Sequence, residues 1–356
     1  MKPKFIAYYL PQYHAIPEND LWWGKGFTEW VRVKASSSLF ENHNQPREPL
    51  QYYDLSDVDV MRSQARLAKE YGIYGFCYYH YWFNGKLLLE KPLEQMLRDN
   101  EVDIPYCLCW ANEPWTKAWD GNNKKILMPQ EYGDRTSWIQ HIKYLEPFFK
   151  DERYIKVDGK PLFLIYRTES FHHFDEMIET WSVYLEKAGF KGIHFAEMLT
   201  SYQQQPLCIQ SKAVVEFEPM LTVNTSRTMI SDIKNILLRK TPWLLVKKYR
   251  TKDYDKIWHN ILSRGSTYPN KRVYLGAFTD WDNTPRLKNK SLIFKNGSPE
   301  KFGNYLFTQA TRSNSEFIFI NAWNEWAEGA YLEPDVKNKY GFLEAVRSAN
   351  SKLLED

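Results

Sequence analysis

The chain has 356 residues, of which 43% are hydrophobic, and it carries 47 Lys and Arg against 44 Asp and Glu. This apolar content is enough for a large core and excludes a chain that is disordered throughout. The near balance of charge argues against nucleic acid as the main partner, because no basic excess is present to displace counterions.

The N-terminal segment, MKPKFIAYYLPQY, has a short apolar run. It has neither the long apolar region nor the small-residue cleavage site of a signal peptide. No stretch of the chain approaches the ~18 apolar residues of a membrane span. These features predict a cytoplasmic protein without an integral membrane segment.

Eight short apolar runs rich in β-branched and aromatic residues recur along the chain. Continuous runs of this kind are typical of strands that are buried on both faces, as in a parallel sheet. The predicted strands are Phe5–Tyr9, Ile73–Tyr79, Ile104–Cys109, Leu162–Tyr166, Ile193–Ala196, Val214–Phe217, Val273–Phe278 and Phe317–Asn321.

Segments with helical spacing of apolar residues lie between most of these strands. Ser56 is expected to cap the first long helix and Gly72 to follow its end. The predicted helices are Asp57–Tyr71, Pro92–Asn100, Thr136–Lys150, Phe174–Ala188, Asp253–Ser263, Pro299–Ser313 and Gly341–Leu354.

Strands that alternate with helices predict parallel βαβ units, and eight such units predict an α/β protein with a (β/α)8 TIM barrel. An open doubly wound sheet is the rival fold, but the YYLPQYH turn after the first strand lacks the glycines of a phosphate-binding turn. The stretch Tyr13–Ser56 is too long for a plain loop and is expected to decorate the first βα connection over the active face. No linker composition divides the chain, so residues 1–356 are expected to form a single catalytic domain.

The four cysteines indicate neither a metal centre nor a disulfide framework. They are Cys77, Cys107, Cys109 and Cys208, and no CxxC pair is present among them. Cys107 and Cys109 lie inside an apolar run, so buried free thiols are expected.

Polar and aromatic residues cluster where the predicted strands end. In a (β/α)8 barrel these ends meet at one rim, where catalytic groups lie. Carboxylates suit proton transfer, amides bind hydroxyls, and indole rings pack on apolar sugar faces, so the rim predicts a glycan-processing site. The 14 Trp and 24 Tyr of the chain fit this interpretation as well as they fit a large aromatic core. The candidate substrate-binding residues are Tyr8, Tyr9, His80, Trp82, Trp110, Asn112, Glu113, Trp115, Glu197, Glu218, Asp280, Trp281, Trp323, Asn324 and Trp326.

The segment NAWNEWAEGAYLEP, residues 321–334, carries the strongest local signal. Glu325 and Glu328 leave the last strand three residues apart among aromatic neighbours. Glycoside cleavage needs one protonated and one ionised carboxyl group, and a close pair separates its pKa values in that way. The alternative is a helix start with Glu in its first turn, which explains neither the tryptophans nor Asn324.

Three weaker motifs accompany this pair. Glu113, in an Asn-Glu-Pro turn, either binds sugar hydroxyls or is simply solvated. The run that begins Asp280-Trp281-Asp282 is either a turn or part of the site. The segment GKGFTEW, residues 24–30, belongs to the long first loop, where Glu29 and Trp30 are candidates to line the cleft.

Histidines are not expected to bind a metal. His14 and His80 follow strand ends, but the chain has no HxH or HExxH spacing. Ordinary hydrogen-bonding histidines are the better interpretation.

WNEWAEG, WANEPW, GKGFTEW and WDNTPR together resemble the WbsX-type family, whose members occur in bacterial polysaccharide loci and are commonly described as glycosyltransferases. The WNEWAEG segment is also similar to the catalytic strand of glycoside hydrolase family 99, the endo-α-mannosidases and endo-mannanases. The first resemblance spans nearly the whole chain, and the second rests mainly on the last strand and the order of the barrel elements.

The family 99 resemblance implies a retaining α-glycosidase that uses the sugar's own 2-hydroxyl as nucleophile. By motif position, Glu325 is the base that takes the 2-hydroxyl proton, and Glu328 protonates the leaving oxygen. A tyrosine assists at the anomeric centre, and Tyr8 or Tyr9 is the candidate.

The expected function is therefore cleavage of an α-linked, mannan-like or bacterial surface glycan. Two alternatives remain: a glycosyltransferase or transglycosylase of polysaccharide biosynthesis, for which Asp280-Trp281-Asp282 supplies a DxD spelling, and a glycan-binding barrel without catalysis. Acid–base cleavage needs only carboxyl groups, so no metal or organic cofactor is expected, and the expected partner is an oligo- or polysaccharide. The sequence leaves the oligomeric state open.

Overall fold

Eight parallel strands close into a barrel in this computed structural model, which describes residues 2–116, 126–225, 249–265 and 268–355. Each strand pairs with the next one along the chain, and the first pairs with the last, where Lys4 lies opposite Phe317. The strands are β1 (Lys4–Tyr9), β2 (Gly75–Phe83), β3 (Tyr106–Trp110), β4 (Lys160–Ile165), β5 (His194–Leu199), β6 (Ala213–Glu216), β7 (Arg272–Phe278) and β8 (Phe317–Asn321). The predicted (β/α)8 barrel is confirmed.

Helices surround the barrel between most strands. Asp57, and not the predicted Ser56, caps the first long helix, because its side chain accepts a hydrogen bond from the Asp59 amide. The helices are α1 (Pro17–Trp23), α2 (Glu29–Lys34), α3 (Val58–Glu70), α4 (Lys91–Arg98), α5 (Arg135–Lys150), α6 (Phe174–Lys187), α7 (Met220–Thr225), α8 (Tyr254–Ser263), α9 (Thr284–Leu287), α10 (Pro299–Thr311) and α11 (Gly341–Glu355). Helices α1 and α2 both lie in the connection after β1, which confirms the decorated first loop.

Short additional strands and turns occur in the connections between the barrel strands and helices. The β2 strand runs beyond its predicted end at Tyr79 and folds back as a hairpin. Among the described residues, 3-10 turns cover Lys288–Lys290 and Trp326–Glu328. The additional strands are Lys86–Leu88 against β2, Trp115–Thr116 against Ile126–Met128, Lys156–Val157 against β4, Arg250–Asp253 against Leu292–Lys295, and Asn324–Glu325 against Ala330–Tyr331.

Side chains alternate between the barrel interior and the helix layer along each strand. Tyr8 points inward, where its ring contacts Phe217 and Phe319 with centroids 5.3 and 5.6 Å away. The next residue, Tyr9, points outward and donates to Gln64 of α3 at 2.6 Å. Gly276 of β7 allows close packing, because a Cβ there would lie 1.8 Å from the Glu216 carbonyl oxygen.

Two further expectations bear on the whole chain. All four cysteines are buried and unbridged, as predicted. Within the described ranges, no helix has the length and apolar character to cross a bilayer. The division into one domain over residues 1–356 stays a prediction.

Candidate active site

A cavity of about 560 Å³ opens where the carboxyl ends of the barrel strands meet. All eight strand ends or the segments that follow them contribute to its wall. The lining residues are Leu10, Gln12, Tyr79, Tyr81, Ala111, Glu113, Pro114, Trp115, Thr116, Tyr166, Arg167, Ser201, Tyr202, Phe217, Met220, Trp281, Asn283, Arg286, Leu287, Glu325 and Glu328. This rim is where barrel folds carry their functional groups.

A tight hairpin after β8 places Glu325 and Glu328 at this cavity. The Asn324 amide accepts from the Leu10 N–H at 2.7 Å and donates to the Leu10 carbonyl at 3.0 Å, which ties the hairpin to the end of β1. The turn ends at Gly329, whose φ of +67° and close approach to Arg47 disfavour any side chain there. The two glutamates are therefore fixed by backbone contacts as well as by their own side chains.

The guanidinium of Arg286, on α9, binds both glutamates. Its Nη2 donates to Glu325 Oε1 at 2.5 Å, and its Nη1 donates to Glu328 Oε1. The same Nη2 lies 3.2 Å from Glu29 Oε1, and Glu29 is fully buried on α2. One cation thus joins three carboxyl groups from two segments of the chain, α2 and the hairpin after β8.

Burial raises the pKa of both glutamates of the hairpin. It raises the pKa of Glu325 to about 8; Arg286 opposes the rise, and Glu328 and Glu29 add to it. Burial also raises the pKa of Glu328, again opposed by Arg286 and reinforced by Glu29. The Glu325 side chain is 8% exposed and that of Glu328 is 21% exposed, so the more buried Glu325 holds its proton more firmly in the free site.

Aromatic side chains form much of the remaining wall. Tyr81 faces the cavity with its hydroxyl 3.2 Å from Gln12 Nε2. Below it, Tyr8 stacks on Tyr79 at 5.7 Å, and its buried hydroxyl has no hydrogen-bond partner among the described residues. Apolar rings with hydroxyl or N–H edges suit the mixed surface of a sugar. The aromatic lining residues are Tyr79, Tyr81, Trp115, Tyr166, Tyr202, Phe217 and Trp281.

A second ion-pair group lies on the cavity wall after β3 and β4. Arg167 donates to Glu113 at 2.9 Å and to Glu169 at 2.5 Å, and its guanidinium lies 4.0 Å from the Tyr202 ring centroid. Asn112 binds both the N–H and the carbonyl of Arg167, at 2.8 and 2.6 Å. Asn112 therefore positions this group from behind the cavity.

The structure brings five of the sequence-predicted site residues to the cavity: Glu113, Trp115, Trp281, Glu325 and Glu328. The other twelve do not line it. Tyr8 and Asn112 lie just behind the wall, and Asn324 fixes the hairpin.

The outward-facing residues of β2 and β3 pack against the helix layer. His80 lies 2.8 Å from His141 of α5, and Trp82 stacks on the same ring at 4.4 Å. Trp110 donates to the Trp82 carbonyl at 3.1 Å. Tyr9, as described above, is also outward, so these four residues have structural partners away from the cavity.

The carboxylates within β5 and after β6 and β7 also have structural partners. Glu218 accepts from Arg264 at 2.5 Å, and Asp280 accepts from Arg47 at 2.8 Å. The Glu197 carboxylate accepts hydrogen bonds from residues in the connections before and after β5, namely Thr168, Gln203, Leu207, Cys208 and Ser211.

Two tryptophans of the last motif are buried beside the hairpin. Trp323 packs on Phe76 at 5.1 Å, and Trp326 stacks on Tyr331 at 3.7 Å. The Trp326 indole N–H donates to the buried Glu333 at 2.7 Å. Both rings thus form the support of the site and not its surface.

The DxD motif Asp280-Trp281-Asp282 does not form a pair of accessible carboxylates. Asp282 is 1% exposed and binds His43 and Gln45 at 2.8 and 2.7 Å. Burial alone would raise the pKa of Asp282, but the bond from His43, the charge of Arg47 and further hydrogen bonds lower it to about 2. Among the residues that the structure describes, no group of three or more His, Cys, Asp or Glu is arranged to hold a metal ion.

Sequence reasoning did not select several cavity residues, including Tyr79, Tyr81, Tyr166, Phe217 and Arg286. The two-residue alternation along β2 is the signal that separates Tyr79 and Tyr81 from His80 and Trp82. Arg286 is the last residue of the WDNTPR motif, but that motif does not indicate its contact with the glutamates, which depends on the tertiary fold.

The closed barrel, with its acidic and aromatic cavity at the carboxyl ends of the strands, defines a (β/α)8 protein with a candidate active site in the usual place for this fold. The chain belongs to the family described as glycosyltransferase WbsX, which matches residues 5–346. This confirms the resemblance drawn from the motifs.

A curated relative shares sequence over nearly the whole chain. The protein described as uncharacterized protein WxcX, from Xanthomonas campestris pv. campestris (strain B100), is 38% identical over 359 residues. The match covers 97% of this chain and 49% of the relative, so the chain spans about half the length of the curated relatives that it matches.

Solved structures share the fold at low identity. A glycoside hydrolase-like protein has a TM-score of 0.61 at 12% identity, with 98% of this chain and 94% of the other covered. A GH99 endo-alpha-mannosidase from Bacteroides thetaiotaomicron, in complex with BIS-TRIS-Propane, has a TM-score of 0.56 at 14% identity, with 100% and 98% covered. These likenesses concern the barrel architecture.

Proposed function

We propose that the barrel is a retaining glycoside hydrolase of the family 99-like type, which cleaves an α-linked glycan such as a mannan-like or bacterial surface polysaccharide. The observation that carries the proposal is that Glu325 and Glu328 reach one cavity and bind the same guanidinium of Arg286. A guanidinium fork binds two oxygens only when they lie within a few ångströms of each other. Both carboxyl groups are therefore close enough to act on one glycosidic bond.

In the proposed reaction, Glu325 takes the proton of the sugar 2-hydroxyl and that oxygen attacks the anomeric carbon. The bond to the leaving oxygen breaks as Glu328 gives it a proton, which leaves an epoxide-like sugar. Water then opens this intermediate at the anomeric carbon, with its proton passing to Glu328, while Glu325 returns its proton to the 2-oxygen. Two inversions at the same carbon give net retention.

This sequence needs one proton on the pair, and the electrostatics of the site support that state near neutral pH. In the free site the proton favours Glu325, because Glu325 is the more buried group and its pKa is raised to about 8. The proposed roles use the form in which Glu328 carries the proton. A sugar hydroxyl that donates to Glu325 favours the ionised form of Glu325 and so shifts the shared proton to Glu328.

The cavity wall supports a saccharide as the ligand. Trp115, Tyr166 and Trp281 present apolar rings, while Gln12 and Glu113 offer hydrogen-bonding groups to hydroxyls. For assistance at the anomeric centre, Tyr8 is the better of the two tyrosines named from sequence, because the Tyr9 hydroxyl is bound to Gln64 outside the barrel.

Glycosyl transfer is the second candidate, and the family description favours it. The same two carboxyl groups serve transglycosylation when a sugar hydroxyl of a growing polysaccharide replaces water. Metal-assisted transfer from a nucleotide sugar has less support, since the Asp280 and Asp282 carboxylates are bound by Arg47 and His43.

The test is incubation with α-mannan oligosaccharides and bacterial surface polysaccharides, followed by assay of new reducing ends and NMR detection of the first-formed anomer. We expect cleavage with retention, lost in Glu325→Gln and in Glu328→Gln. Glu344→Gln, an exposed change on α11, is the matched control and should keep full activity. Transfer to an added sugar acceptor without hydrolysis would favour the second candidate, and binding without any turnover would contradict both.

A further inference from the structure

The Arg286 cluster carries more than the two proposed catalytic groups. Glu29 belongs to α2, Arg286 to α9, and the two glutamates to the hairpin after β8. Glu29 is fully buried and lies outside the cavity wall, whereas Arg286, Glu325 and Glu328 all line the cavity. The third carboxylate therefore binds the guanidinium without reaching the cavity wall.

We propose that Arg286 and Glu29 are positioning residues: the Arg286 fork fixes both catalytic carboxyl groups toward one side of the cavity, and Glu29 fixes the fork from behind. This inference rests on the proposed function of Glu325 and Glu328. Because Arg286 gives one Nη to each glutamate, a single planar group sets the relative orientation of both. The Glu29 contact at 3.2 Å restrains that plane through the decorated loop after β1.

The cluster contains one cation and three carboxyl groups. Glu29 and Arg286 therefore shift the pKa of the two catalytic glutamates in opposite directions. Glu29 raises the pKa of both Glu325 and Glu328, and Arg286 lowers the pKa of both. The other titratable groups that interact electrostatically with the cluster belong to the cavity wall, except Tyr13, which lies behind the hairpin. They are Tyr13, Tyr79, Tyr81, Tyr166, Tyr202 and Glu113.

Opposite shifts distinguish this role from simple structural support. Loss of the Glu29 charge lowers the apparent pKa of the pair, while loss of the Arg286 charge raises it, each by about one unit or more. If Glu29 and Arg286 only held the loop in place, both variants would shift the apparent pKa of the pair in the same direction, because each breaks the same ion pair.

The experiment is a titration of full-length protein labelled with ¹³C at the glutamate carboxyl carbon, with Glu325→Gln and Glu328→Gln to assign the signals. Glu29→Gln and Arg286→Gln are compared with wild type, and thermal unfolding confirms that each variant folds. Glu94→Gln and Arg98→Gln break an exposed ion pair on α4 and serve as matched controls without a shift. The same variants are assayed for the pH dependence of kcat/KM.

Arg286→Lys is the conservative variant. Lys keeps the charge but binds as a single point, so the apparent pKa should stay near that of wild type. With only one carboxyl group held, we expect kcat to fall at least about tenfold, as for other losses of catalytic orientation.

Opposite shifts support the inference, while parallel shifts or none overturn it. If Arg286→Gln does not fold, Glu29→Gln decides alone, since an unchanged or raised pKa there contradicts the proposed geometry. The titration needs no turnover. Opposite shifts without any glycan cleavage would therefore overturn the proposed function, whereas cleavage without opposite shifts would overturn only the role of Arg286 and Glu29.

Discussion

Asn324 offers a sharp prediction, because sequence reasoning made it a sugar-binding residue and the structure gives it a different set of partners. Its fully buried amide forms two hydrogen bonds with the backbone of Leu10 and a third, at 3.3 Å, with the Tyr53 hydroxyl. We predict that Asn324→Ala destabilises the protein and does not act mainly on substrate binding.

The magnitude follows from the two backbone groups that the substitution leaves behind. Leu10 is 3% exposed, so its N–H and C=O would both be buried without their partner. Each buried unpaired group costs about 1–3 kcal/mol, which gives ~3 kcal/mol or more for the pair. An unfolding entropy of about 2.1 cal/mol/K per residue gives roughly 0.75 kcal/mol/K for 356 residues, so Tm should fall by about 4 °C.

Thermal and urea unfolding of Asn324→Ala measure this loss, with Asn304→Ala, on the exposed face of α10, as the control within about 0.5 kcal/mol of wild type. Residual activity of the folded variant should show a lower kcat, because the glutamate hairpin is no longer tied to β1. A variant with unchanged Tm and a raised KM would refute this account and return Asn324 to sugar binding.

Three more predictions concern other positions. Glu325→Gln should raise the free energy of unfolding by at least about 1 kcal/mol near pH 7, as seen in urea unfolding. The gain should grow between about pH 4.5 and 8, because the raised folded-state pKa makes wild type lose stability as the pH rises; a gain independent of pH would contradict the burial argument. Asp282→Asn should lower the free energy of unfolding by ~3 kcal/mol at pH 7. The lowered pKa of Asp282 means that this stabilisation is present at neutral pH and is lost as the pH falls toward 2. Mn²⁺ should leave the wild-type Tm unchanged, and a rise of Tm with Mn²⁺ would restore a transferase metal site. Trp281→Ala should raise KM at least about tenfold and also lower Tm, because the Trp281 ring lines the cavity and is only 3% exposed. Trp323→Ala should cost about 3–5 kcal/mol of stability without such a rise in KM, and the opposite pattern of KM would mean that the cavity is misassigned.

The barrel was predictable because its signal is local and repeated. Each predicted strand overlaps an observed one, and Phe317–Asn321 coincides with β8. Continuous apolar runs report burial on both faces, which depends on the chain segment alone. The end of β2 was missed because the strand continues into a hairpin, and its partner Lys86–Leu88 is polar at one end.

The site was predictable in part, for a physical reason. Sequence places residues at the rim but does not say which face of the strand they take, so His80 and Trp82 were selected although they face α5. Rim residues are also needed to hold the rim together, as Glu197 and Asn324 do. The contact of Arg286 with Glu29 joins residues 257 positions apart, and no local pattern contains it.

The central claim is that Glu325 and Glu328 divide base and acid roles on one glycosidic bond. The most direct measurement compares kcat/KM of the two Gln variants on a natural α-glycan and on the matching glycosyl fluoride, whose leaving group needs no protonation. The account predicts that Glu328→Gln recovers most of the wild-type kcat/KM on the fluoride, because kcat/KM reports the bond cleavage, while its kcat stays low because Glu328 also takes the proton of the attacking water. Glu325→Gln stays inactive on both substrates. Rescue of Glu325→Gln instead, or hydrolysis of the natural glycan by either variant at the wild-type rate, would contradict it.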